Sequence, residues 1–392
     1  MIAGGGASGL MAALAAARSG ARVILADEQN EFGGWMLAEG DVTIEGGSPA
    51  DWVAGIIAEL AAMPDVTLLP RTTVFGYMDH NYLTLTERVT DHLAVRPSHL
   101  PRQRMWKVRA RQVVLAQGAH ERPLVFSGND LPGVMLSGAV RTFINRYGVV
   151  PGNRCVVFTN NDDGYRTALS LQQGGAEAVI VDLRHEVRSA LIKMAKEAGI
   201  RIMTGHAVTI ASGTQRIARV EISPVNEDAT RVLDDPVHMD CDLLAMSGGL
   251  SPAVHLHSQA RGKLAWDEEL LCFKPKSVHE ACFNAGACNG VFGLAKAMAD
   301  GLKAGAAAVR ACGLDAGDHL PPVVTAPPQN WRPMPAWKIP NGQPEGEGPK
   351  AFVDFQNDVT ASDVKLAVRE GYQSVEHVKR YTTLGMATDQ GK

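Results

Sequence analysis

Apolar positions along the chain recur with two periods, and the alternation between them lays out the elements. From Ile2 to Glu28 a strand end is followed by the turn GGGASG, the alanine-rich stretch LMAALAAARSG at helical spacing and the strand ARVILADE, the order of a βαβ unit. Trp52 to Ala62 again carries apolar residues at helical spacing, after which VTLLPRTTVFGYMDHNYLTLTERV alternates as strands do, the mark of an insertion between strands of a first domain. RQVVLAQGAHERP reads as a buried strand running into a glycine turn, and RCVVFTNNDDGYRTALSLQQGGAEAVIVDLR as a second strand, loop, helix and strand. The later runs CDLLAMSGGLSP and ACFNAGACNGVFGLAKAMADGLKAGAAAVRA return to strand and helix patterns and are expected to complete the first domain. Pro321 to Pro349 is rich in Pro, Gly and Trp, as a surface linker is, and Lys350 to Lys392 reads as a small helical module capped at Thr360 or Ser362 and at Ser374.

The domain division expected from this pattern is discontinuous. Residues 1–150 and 240–315 form a nucleotide-binding domain with an insertion at about 50–110, and residues 151–239 form a second nucleotide-fold domain. Residues 316–349 are the linker and 350–392 the helical module. A length of 392 residues with 45% apolar and 20% charged content suits two or three packed domains. The net charge of -4 and the lack of any Lys or Arg run argue against nucleic acid or a membrane surface as partner, leaving a small molecule. Six cysteines without a C-x-x-C pair, no secretory segment and no apolar run of roughly 20 residues point to reduced thiols and the cytoplasm. Both ends look cut: only Met1, Ile2 and Ala3 precede the first glycine, where a strand of about five or six residues is expected, and no closing helix follows the last turn.

The chemistry-bearing motif is G-x-G-x-x-G at Gly4, Gly6 and Gly9, between a strand remnant and a helix, with an acidic pair at the end of the next strand. Gly4 permits the tight turn and Gly6 lets a pyrophosphate approach the backbone, while Gly9 lets the helix sit close on the sheet. The helix start, including Ala7 and Ser8, stabilises the phosphate charge. Asp27, or less so Glu28, is then expected to accept hydrogen bonds from the adenosine ribose, and a carboxylate there repels a 2′-phosphate, which favours NAD or FAD over NADP. Gly33 and Gly34 follow at the interval found in FAD-binding disulfide-reductase-type folds, and Gly118 and Gly286 sit in the later glycine turns expected to border the cofactor. Those flavoproteins place an Asp after the late A-G to hold ribityl hydroxyls, and Ala287 stands there instead. NAD is therefore favoured in this site, with FAD the alternative. The expected fold class is α/β, with two nested Rossmann-like dinucleotide-binding domains of that type and the helical module behind them.

The second unit has Thr159, Asn160, Asn161, Asp162, Asp163 and Gly164 where a fingerprint needs three glycines. Side chains and two acidic groups there disfavour pyrophosphate, so this unit is expected to keep the fold as a scaffold without nucleotide. His80, His120, His255 and His257 have no partner pattern that defines a nucleophile or metal site, and Cys282 and Cys288 match no redox dithiol. No catalytic residue and no metal ligand is assigned.

With these segments in place, the chain resembles the alpha subunit of heterotetrameric sarcosine oxidase over nearly its whole length. The runs that carry the resemblance include AQGAHERPLVF, LPGVMLSGAVRTFINRYGV, VVFTNNDDGYRTAL, KAFVDFQNDVT and GYQSVEHVKRYTTLGMATDQGK. The resemblance implies a flavoprotein oxidoreductase acting on a CH-NH donor. Sarcosine is demethylated oxidatively with tetrahydrofolate and oxygen, giving glycine, 5,10-methylenetetrahydrofolate and hydrogen peroxide. It further implies beta, gamma and delta partner subunits, FAD in the beta subunit, FMN at the alpha–beta boundary and NAD in the Rossmann domain of the alpha subunit. The family's N-terminal ferredoxin-like module and C-terminal aminomethyltransferase-like domain are missing from this sequence, so the segment alone is expected to be inactive.

The tail also resembles the helical 2Fe-2S module of bacterioferritin-associated ferredoxins, in which four cysteines hold the cluster. Asp354, Gln356 and Asp389 occupy cysteine positions here, and iron–sulfur iron requires soft thiolates, so no cluster is expected. Val364, Val368, Val375, Val378 and Leu384 are expected to supply the packing of that module instead. A non-catalytic NAD-binding scaffold is the rival reading. An FAD-dependent NAD(P)H reductase would need the second fingerprint and a dithiol, and an opine or cyanide-forming dehydrogenase subunit would be expected to keep the tail cysteines.

Overall fold

The computed structural model describes residues 1–343 and 347–387 and divides them into two compact units, Met1–His120 with Ser251–Pro327 and Glu121–Leu250 with Pro328–Lys392. Among the described residues no helix is long and apolar enough to cross a membrane.

The first unit is built on a parallel sheet in the order Cys282–Asn284, Val113–Leu115, Ile2–Ala3, Val23–Ala26, Val66–Leu69. Its strands are short apolar runs because helices cover the sheet, and Leu25, Val113 and Leu115 are fully buried. The helix Ala7–Arg18 returns the chain from the first strand to the second, and the helix Leu294–Ala311 lies against it. That approach is close because Gly301 and Gly305 face it: a Cβ on Gly301 would stand 2.1 Å from the Ser8 carbonyl oxygen, and one on Gly305 2.6 Å from that of Ala12. The helix expected from Trp52 runs over Pro49–Ala61, started by Ser48, whose hydroxyl accepts the Asp51 N–H. The alternating run that follows forms an antiparallel meander of Thr72–Met78, Tyr82–Arg88 and Gln103–Arg109.

The second unit has its own parallel sheet, ordered Val134–Leu136, Leu243–Ser247, Arg154–Thr159, Glu177–Asp182, Arg201–Thr204. The helix Asp163–Gln173 packs on it, and the antiparallel strands His206–Gly213, Ile217–Pro224 and Val237–Asp240 complete the unit. Two stretches fall differently from the expected division. Residues 121–150 cluster with the second unit, because Val134–Leu136 pairs with Leu243–Ser247. Leu243–Ser247, expected to complete the first sheet, lies inside the second, between Val134–Leu136 and Arg154–Thr159, whereas Cys282–Asn284 does join the first. A largely apolar strand buried along its whole length carries no mark of which sheet receives it.

The C-terminal residues cluster with the second unit. Asn129 ties them there: its side-chain oxygen accepts the Phe352 N–H at 2.8 Å and its amide donates to the Phe352 carbonyl at 2.9 Å. The helix Ala361–Arg369 begins with a capping box in which Thr360 and Asp363 exchange backbone hydrogen bonds, and Val375–Thr382 follows. The apolar packing expected of this module is corrected at two of its five positions, while Val364, Val378 and Leu384 are half-buried. Val368 and Val375 are 55% and 80% exposed, and the fully buried apolar side chain of the first helix is Ala367.

Candidate dinucleotide site

Three glycine turns of the first unit meet at the start of the helix Ala7–Arg18. Gly4 has φ 103, and a Cβ there would lie 2.3 Å from the Ala116 carbonyl oxygen. Gly9 lies so close beneath that its Cβ would be 1.8 Å from the Gly4 carbonyl oxygen, the contact that seats the helix on the sheet. The second turn arrives through Gly33, whose N–H donates to the Gly5 carbonyl at 2.8 Å, and Gly34, whose absent Cβ would be 3.2 Å from the Gly6 Cα. The third is Gly286, where a Cβ would overlap the Ser8 hydroxyl at 1.8 Å.

Gly6 differs from these, because a Cβ on it would meet nothing within 4 Å. It begins a 12-residue helix that has no side-chain cap and no acidic residue in its first turn. The open space therefore faces uncapped N–H groups and the positive end of the helix dipole, which fits a pyrophosphate. Gly118, with φ 80, is likewise open on its Cβ side, and its carbonyl accepts the Ala253 N–H at 3.0 Å.

Asp27 stands at the end of Val23–Ala26. One carboxylate oxygen accepts the Gly5 N–H at 2.6 Å and the other the Gln29 N–H at 2.8 Å, so the acidic side chain is fixed to the glycine turn itself. Burial lifts its carboxyl above the ordinary value, while the two backbone donors pull the other way. Glu28 beside it is exposed. Asp27 closes one end of the cradle over the strand Val23–Ala26, and Gly118 and Gly286 follow strands on the opposite side of Ile2–Ala3.

Asp300 was not singled out by sequence. Its carboxylate accepts the Gly286 N–H at 2.8 Å and the Asn289 amide at 3.3 Å, so it fixes the late turn from within Leu294–Ala311. Its signal was the adjoining Gly301-x-x-x-Gly305 spacing, which marks the helix face nearest the cradle.

The corresponding loop of the second unit is filled by protein. Asp162 pairs with Arg184 at 2.8 Å and accepts the Asn330 N–H at 2.9 Å, and Arg184 also pairs with Asp182 at 2.8 Å. Asp163 pairs with Arg141 at 2.8 Å and receives the Gln329 amide at 3.2 Å. Burial opposes its charge, but Arg141 and Arg166 hold its carboxyl below the ordinary range. Asn160 and Met334 exchange backbone and side-chain hydrogen bonds at 2.8 Å, so the segment from Gln329 to Met334 runs across this loop. The acidic pair is thus compensated by arginines rather than left to repel a phosphate. What closes the loop is that its donors are already engaged, the Asp163 N–H by the Asn161 side-chain oxygen at 2.8 Å among them.

Of the histidines, His257 is buried between the Lys263 carbonyl and the Asn284 amide, and His80 is exposed at a turn with φ 61. His120 and His255 have ring centroids 6.3 Å apart. Cys282 and Cys288 are buried, and burial pushes the Cys288 thiol up to about 11, away from thiolate chemistry. Among the described residues no group of three or more His, Cys, Asp or Glu side chains is placed to hold a metal ion.

Two nested parallel-sheet units with one open glycine cradle define a dinucleotide-binding oxidoreductase fold. The chain belongs to the pyridine nucleotide-disulphide oxidoreductase family, whose model matches residues 1–301. Residues 348–392 match the sarcosine oxidase A3 domain. The whole chain aligns with the sarcosine oxidase alpha chain of Corynebacterium sp. (strain P-1) at 42% identity, covering 40% of that protein. It aligns with that of Rhizobium meliloti (strain 1021), also at 42%, covering 38%. The chain thus spans about two-fifths of the length of these relatives. An opine oxidase component of Agrobacterium tumefaciens (strain Ach5) is 25% identical over 71% of this chain and 58% of its own. Among solved structures, L-proline dehydrogenase from P. horikoshii superposes with a TM-score of 0.71 at 21% identity, covering all of this chain and 70% of its own. T. acidophilum thioredoxin reductase gives 0.60 at 18%, covering 79% and 96%. These two likenesses bear on the fold alone.

Proposed function

We propose that the first unit binds NAD, with the pyrophosphate over Gly4, Gly6, Ala7, Ser8 and Gly9 and the adenosine ribose at Asp27, with Glu28 beside it. Gly33, Gly34, Gly118 and Gly286 let the chain pass close to the cofactor. The observation that carries this reading is the open space at Gly6, the N-cap of a helix with no side-chain cap, together with the Asp27 carboxylate held on the neighbouring Gly5 N–H, which supports a ribose at Asp27. NAD rather than FAD is favoured by Ala287, which offers no hydrogen bond where a flavin's ribityl chain needs a carboxylate, and by Asp300 being committed to Gly286.

NAD supplies hydride chemistry when bound, and the residues on this chain bind and orient it. The wider role follows from whole-length similarity to the alpha chains of sarcosine oxidases. As part of such a complex, with beta, gamma and delta partners and FMN at a partner boundary, the chain contributes to the oxidative demethylation of sarcosine with tetrahydrofolate and oxygen. The C-terminal module serves this assembly without an iron–sulfur cluster, since Asp354 and Gln356 replace thiolate ligands, and Asp389 lies outside the described residues.

The test is release of bound nucleotide by denaturation and its identification by mass. NAD supports the proposal. FAD in its place would move the assignment to the flavin, and a chain that neither retains nor takes up either would remove the site.

A further inference from the structure

We propose that Arg88 is a specificity-determining residue at the adenosine end of this site, a cation that attracts a 2′-phosphate to the strand end from which Asp27 repels it. The proposal rests on the reading that the adenosine lies at Asp27. Three strand ends are tied together there. Thr72 N–H donates to the Asp27 carbonyl at 2.7 Å, Arg71 N–H to the Gln29 carbonyl at 2.7 Å, and Arg88 N–H to the Arg71 carbonyl at 2.9 Å. This network brings the Arg88 guanidinium to the residue that follows Asp27, where it donates to the Glu28 carbonyl at 2.5 Å.

The charges around it set Arg88 apart. Arg104 pairs with Glu87 at 2.9 Å and Arg102 pairs with Asp91, whereas the hydrogen bond of exposed Arg88 goes to a neutral carbonyl. A guanidinium parked on a carbonyl exchanges it readily for phosphate, which it binds through two parallel charge-assisted hydrogen bonds. What opposes that exchange is Asp27, which cannot swing away because Gly5 and Gln29 each hold one of its oxygens. The strand end therefore carries both determinants of ribose recognition, an acceptor for a free 2′-hydroxyl at Asp27 and, on the carbonyl of the next residue, a cation suited to a 2′-phosphate. The exposed Glu28 carboxylate adds to the first and is unchanged in every variant below.

Calorimetric titration of the chain with ADP and with adenosine 2′,5′-bisphosphate separates the two determinants. The unaltered chain is expected to prefer ADP. Asp27→Asn is expected to move the affinity ratio toward the bisphosphate by about tenfold or more, and Arg88→Gln in that background to return it. Should Asp27→Asn disturb the turn, Arg88→Gln in the otherwise unaltered chain is decisive. It is expected to weaken the bisphosphate by about tenfold while ADP binding stays within about twofold. Equal effects of Arg88→Gln on both ligands, or none on either, overturn the role of Arg88 while leaving the cradle intact. An unaltered chain that binds neither ligand overturns the cradle as well.

Discussion

Asp27 connects two requirements at a single residue, since its carboxylate holds the Gly5 and Gln29 amides and is the acceptor proposed for the ribose. Asp27→Ala is expected to weaken NAD binding by about 1–3 kcal/mol, the loss of a charged acceptor for hydroxyls together with two backbone donors left without one. Titration of both proteins with NAD checks this, and equal affinities would remove Asp27 from the site. Its place at a strand end was legible in sequence because an acidic residue there, a helix after the glycines, follows a spacing rule. Its hydrogen bond to the Gly5 N–H of the turn was not, since it depends on the loop's path in three dimensions. Asp300 shows the same limit: the adjoining Gly301-x-x-x-Gly305 spacing marks its helix face, but not that its carboxylate meets Gly286, fourteen residues earlier.

At the scale of elements, the cradle depends on two helices that touch through glycines. Gly301→Val is expected to destabilise the chain by about 1–3 kcal/mol, because a side chain there would overlap the Ser8 backbone and push apart the helix that forms the cradle. Thermal melts with and without NAD read both effects, and a variant of unchanged stability and affinity would show that the contact is dispensable. The C-terminal module depends on a carboxylate. Asp354 is buried and accepts the Gly385 N–H at 2.8 Å and the Gln356 and Asn357 N–H groups at 3.0 Å, so it ties the loop to the turn after the last helix. Burial opposes its charge, but the three donors outweigh it and hold the carboxyl below the ordinary range. A depressed folded value means that this stabilisation is fully present above the unfolded value of about 3.9 and is lost as pH falls through the folded one. Hydrogen exchange at Gly385 is therefore expected to accelerate, beyond the intrinsic rate, only below about pH 4. Acceleration already near pH 6, or none in Asp354→Ala at neutral pH, would contradict the tie. The helices of this module were legible from their caps, while the outward placement of Val368 and Val375 was not, because apolar spacing marks a face without saying what covers it.

Across the whole molecule, two units share one architecture and differ in what occupies the loop after their first strand. The first loop is glycine and open at Gly6; the second is buried polar side chains bonded to Gln329, Asn330 and Met334. The doubling of the fold was legible in two strand–loop–helix–strand patterns. The assignment of Leu243–Ser247 was not, since an apolar strand pairs equally well in either parallel sheet. Native mass spectrometry of the chain with NAD tests the division of labour most directly, using Gly6→Val as the control. Gly6 has extended backbone at φ -79 that valine tolerates, and its Cβ would enter only the ligand's space. One NAD per chain is expected, lost in Gly6→Val while the melting temperature holds; two per chain, or one that survives Gly6→Val, would contradict a single cradle in the first unit.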